Sequence, residues 1–158
     1  MRTGMLFTLG YEGQTLEEFL QRLADTRIET VIDVRELPLS RKRGFSKRAL
    51  AEKLAERGIG YLHMQALGCP KLVRDRLKLD GDWTRYVRDF ERHLSQQTES
   101  VREVASLARE TSCGLLCFEA DFERCHRSLV GRAVAAIGGP ELAHITPTTV
   151  IPDGQRSA

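Results

Sequence analysis

Short apolar runs alternate with segments whose apolar residues fall at helical spacing, and this alternation restricts the chain to folds built from strand–helix units. Leu6-Phe7-Thr8-Leu9 reads as a strand closed by Gly10. Thr15-Leu16-Glu17-Glu18 is a capping-box signature, a threonine followed three residues later by a glutamate. Behind it Leu16, Phe19, Leu20 and Leu23 share one helical face. Thr30-Val31-Ile32-Asp33-Val34 is β-branched and apolar, as a strand buried on both faces must be. Strands separated by helices predict an α/β fold, a single three-layer domain with a mostly parallel sheet of about five strands.

The rest of the chain continues the pattern. A helix is expected from about Ser46 to Arg57, with Leu50 and Leu54 inward and Gly58 as its left-handed stop. Tyr61-Leu62-His63-Met64 is a third strand, and residues 65–82 read as a long connection. Trp83 to Gln97 is helical, with Tyr86 and Phe90 packed along it. A second capping box at Ser100–Glu103 opens a helix bearing Val101, Val104, Ala105 and Ala108. Gly114 to Phe118 is the most apolar strand. Asp121 is expected to cap the helix that carries Leu129, Val130, Ala133, Val134 and Ile137, which Gly138-Gly139-Pro140 ends. Ala143 to Thr146 is a last strand. Residues 1–147 are thus read as one domain and residues 148–158 as a loose tail.

Composition narrows the class. The 158 residues suit one ordinary domain. With 41% apolar and 29% charged residues the chain is not disordered. The apolar stretch after Met1 is too short for a signal peptide, and no run approaches the ~18 residues of a membrane span. A cytoplasmic protein without membrane contact is expected, its four cysteines (Cys69, Cys113, Cys117, Cys125) being thiols. The net charge of +2 says little about partners; the placement of the cations says more.

In open parallel sheets, ligands bind outside the carboxyl ends of the strands. Those ends offer Tyr11 and Glu12 in a Gly10-x-x-Gly13 turn, then Asp33 and Arg35. They also offer His63, then Cys117 and Glu119 with Cys125-His126-Arg127-Ser128, and finally His144 and Thr146. The turn is not a dinucleotide fingerprint, and no Walker A pattern exists. Tyr-Glu-Gly after the first strand, Asp33-Val34-Arg35 with Pro38 and Ser40, and Cys117-x-Glu119 followed by Cys125-His126-Arg127-Ser128 resemble the family catalogued as domain of unknown function 488. The likeness runs from about Leu6 to Thr146. It implies a shared α/β fold and a shared site, and no chemistry.

The chemistry must come from the residues. Cys125, at a helix start among Arg124, His126 and Arg127, is placed for thiolate formation; the plainer alternative is a small buried thiol. A phosphatase loop is excluded, because the sixth residue after Cys117 is Glu123 and after Cys125 is Gly131. Glu119 at a buried strand end can serve as acid, base or nucleophile, with Asp33 as its partner. Alternatively Asp33 pairs with Arg35 and Glu119 with Arg127. No cofactor is predicted. Cys117, Cys125, His126 and His63 are ligand types for zinc or iron, but the eight-residue gap matches no standard zinc spacing, and a metal or redox protein stays an alternative. Cys113 and Cys117, in one strand, stand ~13 Å apart and cannot share an ion.

Arg41-Lys42-Arg43-Gly44-Phe45-Ser46-Lys47-Arg48 holds five cations and no acid, with Phe45 placed to stack on a base. The reading is an enzyme that binds an anionic small molecule or nucleic acid, such as a phosphate, nucleotide or nucleic-acid fragment. Arg35, Arg41, Arg43 and Arg127 hold its charge; Tyr11, Glu12, Cys117 and Ser128 contribute to the pocket; Glu119, Cys125, His126 and Asp33 carry the reaction, in a hydrolase or transferase. A non-catalytic nucleic-acid-binding module is the other alternative. A homo-oligomer is compatible with either.

Overall fold

A computed structural model describes residues 4–154. Residues 1–3 and 155–158, which include the chain start and the end of the expected tail, lie outside the described residues. The elements are β1 (Met5–Gly10), α1 (Leu16–Asp25), β2 (Thr30–Asp33), α2 (Lys47–Glu56), β3 (Gly60–His63), α3 (Lys71–Asp80), α4 (Trp83–Leu94), α5 (Thr98–Glu110), β4 (Ser112–Cys117), α6 (His126–Ala136), β5 (Leu142–Ile145) and β6 (Val150–Pro152). Among the described residues they form one six-stranded sheet in the order β3-β2-β4-β1-β5-β6. β1 to β5 pair in parallel, and β6 joins the edge antiparallel. The α/β, mostly parallel expectation holds.

Local chemistry explains the starts and stops. Thr15 and Glu18 close the capping box on α1, the Glu18 amide donating to Thr15 Oγ1 at 3.1 Å and the Thr15 amide to Glu18 Oε1 at 2.8 Å. Asp82 caps α4 by accepting from the Arg85 amide. Gly58 stands after α2 in the left-handed region, φ 71°.

Side chains alternate across the sheet. Phe7, Leu9 and Val31 pack with Phe19, Leu20 and Leu23 of α1 and Leu50 and Leu54 of α2. Leu6, Ile32 and Leu115 face the other layer, with Phe90 of α4, Val104 of α5 and Val130 of α6. No helix among the described residues is long and apolar enough to cross a membrane. All four cysteines are free and buried.

Four local expectations need correction. Ser100–Glu103 does not cap a helix: α5 already begins at Thr98 after Gln97, which makes no side-chain cap, so both residues lie within it. The connection over 65–82 contains a 3-10 turn (Gln65–Leu67) and the ten-residue α3, begun after Pro70 and stopped by Gly81 at φ 66°. Asp121 does not cap α6. It accepts from the Glu123 amide and caps a separate 3-10 turn, Phe122–Arg124, after which extended Cys125 restarts the chain as the N-cap of α6. Finally, residues 150–152 of the expected loose tail form β6. Asp153 anchors it, its amide donating to Leu142 O and its carboxylate accepting from Arg132 and His144.

The topology locates the crevice. From β1 the chain passes through α1 to β2, beyond β4. From β4 it passes through α6 to β5, beyond β1, in the opposite direction and on the opposite face. The carboxyl ends of β1 and β4 are therefore a topological switch point, where open α/β sheets hold their ligands.

Candidate functional site

Gly10 ends β1 because nothing larger fits. A Cβ there would lie 1.8 Å from the Glu119 carbonyl oxygen and 3.2 Å from Arg127 Nη1. Beyond it Tyr11 is buried between rings, stacked on Phe45 at 4.3 Å and edge-on to Phe118 at 5.4 Å. Its hydroxyl accepts from Arg35 Nη1 at 3.1 Å.

Asp33 and Arg35 follow β2. Arg35 Nε and Nη2 donate to the two Asp33 carboxylate oxygens at 2.9 and 2.7 Å, and the Tyr61 hydroxyl also donates to Asp33. Arg35 Nη1 donates to the Phe45 carbonyl at 2.7 Å. Burial works against the Arg35 charge, but the Asp33 carboxylate more than offsets it, and the guanidinium is held charged above its ordinary range. Tyr61 is pushed above its usual pKa by burial and by the same carboxylate.

At the end of β4 four reactive groups converge. Glu119 Oε2 lies 3.1 Å from Cys117 Sγ and 3.3 Å from Cys125 Sγ. His126 Nδ1 is 3.7 and 3.9 Å from the same sulfurs. His126 Nε2 donates to the Val34 carbonyl at 2.7 Å, and Phe90 packs edge-on against the ring. Burial raises the Glu119 pKa, and Cys125 adds to the shift. Burial also opposes ionisation of Cys125. Hydrogen bonds from Cys117 and His126, with Arg127 nearby, outweigh it and hold that thiol well below its ordinary value. The Cys117 thiol, beside Cys125 and buried, is correspondingly raised. The His126 pKa is raised because Cys125 more than offsets the burial of the ring.

Arg127 is fully buried. Its Nη1 donates to the Glu119 carbonyl at 2.6 Å, Nη2 lies 3.4 Å from the Ala120 carbonyl, and Nε has no hydrogen-bond partner among the described residues. It fixes the backbone of the Glu119 loop rather than pairing with the Glu119 carboxylate.

A cavity of about 550 Å³ opens over these groups. Tyr11, Arg35, Cys117, Glu119 and His126 line it, as the strand-end reading expects. Asp33 stands behind Arg35 and Cys125 behind Glu119. Glu12 is exposed and latches the loop, its carboxylate accepting from the Ala120 amide at 2.9 Å. Ser128 is buried, its hydroxyl donating to the Phe122 carbonyl. Arg41 and Arg43 are exposed and do not line the cavity. Phe45, expected to meet a base, is wholly buried, since its ring fills the space between Tyr11 and Phe19. His63 Nε2 lies 2.9 Å from the Arg35 carbonyl, away from the thiols, and His144 sits between Thr8 and Asp153.

The cavity also gathers residues the sequence does not point to, Glu36, Leu37, Leu39, Cys69, Arg74, Lys78 and Tyr86, together with Arg124, expected near this edge. Burial pushes the Cys69 thiol up to about 11. Arg74 and Lys78 lie on α3. Val73 and Leu77, four apart between Pro70 and Gly81, were the signal that would have found that helix. A second cavity, of about 380 Å³ between α4 and α6, holds none of the strand-end groups.

No curated protein matches the chain. No solved structure matches it. One family model does, over residues 15–134, which span α1 through most of α6 and include Arg35, Cys117, Glu119, Cys125 and His126. A match over well more than half of its length means that the chain belongs to the family described as Domain of unknown function DUF488.

Proposed function

We propose that the protein is an enzyme that binds a phosphate-bearing ligand, a nucleotide or a nucleic-acid fragment, in the strand-end cavity and works on it with Glu119. The supporting observation is the lining, which joins four cationic side chains (Arg35, Arg74, Lys78, Arg124) to two carboxyls (Glu36, Glu119). Asp33 engages Arg35 and Glu36 engages Arg74. Lys78 and Arg124 have no ion pair among the described residues, and Arg124 lies over the Trp83 ring. Two cations are thus free for an anion. Leu37, Leu39 and Phe118 supply an apolar wall for a base or sugar, and the volume lies within the ~300–1,000 Å³ of small-ligand sites.

Glu119, its pKa raised by burial, is suited to act as a proton donor or acceptor. Cys125 and His126 assist by holding charge beside it. Such a set fits a hydrolase or a transferase. The four free, buried thiols favour a reducing compartment, in keeping with a cytoplasmic protein.

The test is a calorimetric and turnover screen with inorganic phosphate, nucleoside mono- and diphosphates and a short oligonucleotide. Glu119→Gln should abolish turnover while changing affinity little. Lys78→Ala combined with Arg124→Ala should weaken affinity by about ten-fold or more. Folded variants that retain both affinity and turnover would refute the reading.

The exposed cations Arg41, Arg43, Lys47 and Arg48 favour a second reading, a nucleic-acid-binding module without catalysis. Its oligonucleotide binding would fall steeply with salt, survive Glu119→Gln and be lost on replacing Arg41 and Arg43.

A further inference from the structure

Cys117 closes β4, Cys125 is the N-cap of α6 and His126 is its first residue. The two Sγ atoms and His126 Nδ1 all lie within 4.8 Å of one another, and all three residues are buried. Seven residues separate the cysteines in sequence, a gap foreign to the usual zinc motifs. The fold closes it by passing the Glu119–Arg124 loop out and back between the strand end and the helix start.

The donor spacing is that of a coordination shell. A tetrahedral zinc with sulfur at ~2.3 Å and nitrogen at ~2.0 Å separates those two donors by about 3.6 Å. His126 Nδ1 stands 3.7 and 3.9 Å from the sulfurs. Glu119 Oε2 stands 3.1 and 3.3 Å from them. Three donors of the types S, S and N therefore surround one point, while Glu119 Oε2 borders the two sulfurs.

The outer contacts fit as well. His126 Nε2 faces the Val34 carbonyl, to which it can only donate. In the neutral ring this leaves the Nδ1 lone pair directed at the two sulfurs. Metal-bound histidines are oriented in this way, by donating the other ring nitrogen to a carbonyl or carboxylate. A lone activated cysteine would account for one thiol beside His126. The second thiol stands at nearly the same distance from the same nitrogen, and a metal uses both alike.

We propose that Cys117 Sγ, Cys125 Sγ and His126 Nδ1 bind one thiophilic divalent ion, zinc in the first instance, as a three-ligand site whose fourth position is left for water or a ligand. Two thiolates and an imidazole select zinc-like ions over magnesium or calcium. Because Glu119, Cys117 and His126 line the cavity, the ion would meet whatever enters it. The site does not depend on what the cavity binds, so it stands or falls apart from the anion reading.

The test uses the full chain without a histidine tag, kept reduced and dialysed against buffer containing zinc. Elemental analysis should find one equivalent, and X-ray absorption should find two sulfur neighbours at ~2.3 Å. Cys125→Ser and Cys117→Ser should each remove the bound zinc, while Cys113→Ser, outside the cluster, keeps it. Glu119→Gln, outside the three-donor group, should retain the metal. Cobalt(II) added to the wild type gives a reading that needs no variant to fold: a thiolate-to-metal band in the near ultraviolet is expected. No zinc on the reduced wild type, zinc retained in folded Cys125→Ser, or zinc excluded by a Cys117–Cys125 disulfide that forms in preference to metal would each overturn the proposal.

Discussion

Arg35 and Asp33 meet through two parallel hydrogen bonds, Nε to Oδ1 at 2.9 Å and Nη2 to Oδ2 at 2.7 Å, at the carboxyl end of β2. Asp33 is wholly buried and Arg35 nearly so. Asp33 therefore positions Arg35, which in turn holds the Tyr11 hydroxyl and the Phe45 carbonyl, so the pair ties the β2 end to the cavity wall. Removing one partner leaves the other charge buried and unmatched. Asp33→Ala is expected to cost about 3–5 kcal/mol in urea unfolding. Asp33→Leu combined with Arg35→Met should cost less than Asp33→Ala alone. A double variant that loses as much as both singles summed would contradict the pairing.

Gly10 predicts a second effect. The Glu119 carbonyl occupies the place of its Cβ, and that carbonyl is held by Arg127. Gly10→Ala must push the Glu119 loop away from β1. A loss of about 1–3 kcal/mol is expected, together with a loss of any Glu119-dependent turnover. Unchanged stability and turnover would show that the loop is not locked there.

The strands were legible because strands buried on both faces are continuous apolar runs, as in Thr30–Asp33 and Ser112–Cys117. The position of the candidate site was legible because strand ends are where open α/β sheets hold ligands, and Tyr11, Arg35, Cys117, Glu119 and His126 line one cavity there. The cations were harder to place. Arg41 and Arg43 form the densest charge run in the chain yet point outward, because Phe45 within the run is needed in the core. Lys78 lies on α3, a helix with no fully buried residue and only a thin apolar stripe, so its pattern was weak. β6 has three residues and owes its place to contacts of Asp153 with His144 and Arg132, which local sequence does not announce.

Those contacts set a pH dependence. Burial holds His144 below its ordinary pKa, more strongly than Asp153 can restore it, with Arg127 and Arg132 also disfavouring the imidazolium. The unfolded chain takes up a proton near pH ~6.5 that the folded chain resists. His144 thus contributes stability above its unfolded pKa, lost as pH falls through its lower folded value. Burial alone would raise Asp153, but its bonds from Arg132 and His144 prevail and lower it, so its contribution is also lost in acid. Between pH 7 and pH 5 the wild type should lose stability relative to His144→Asn, measured as the difference between their urea midpoints. An equal slope in the variant would contradict the assignment.

The most direct test of the account is calorimetric titration of nucleoside mono- and diphosphates into the wild type and into the Lys78→Ala/Arg124→Ala double variant. Saturable binding to the wild type, weakened about ten-fold or more in the double variant and by added salt, is the expected result. Equal affinity in both proteins, with the double variant folded, would contradict an anion-binding cavity at the carboxyl ends of β1 and β4.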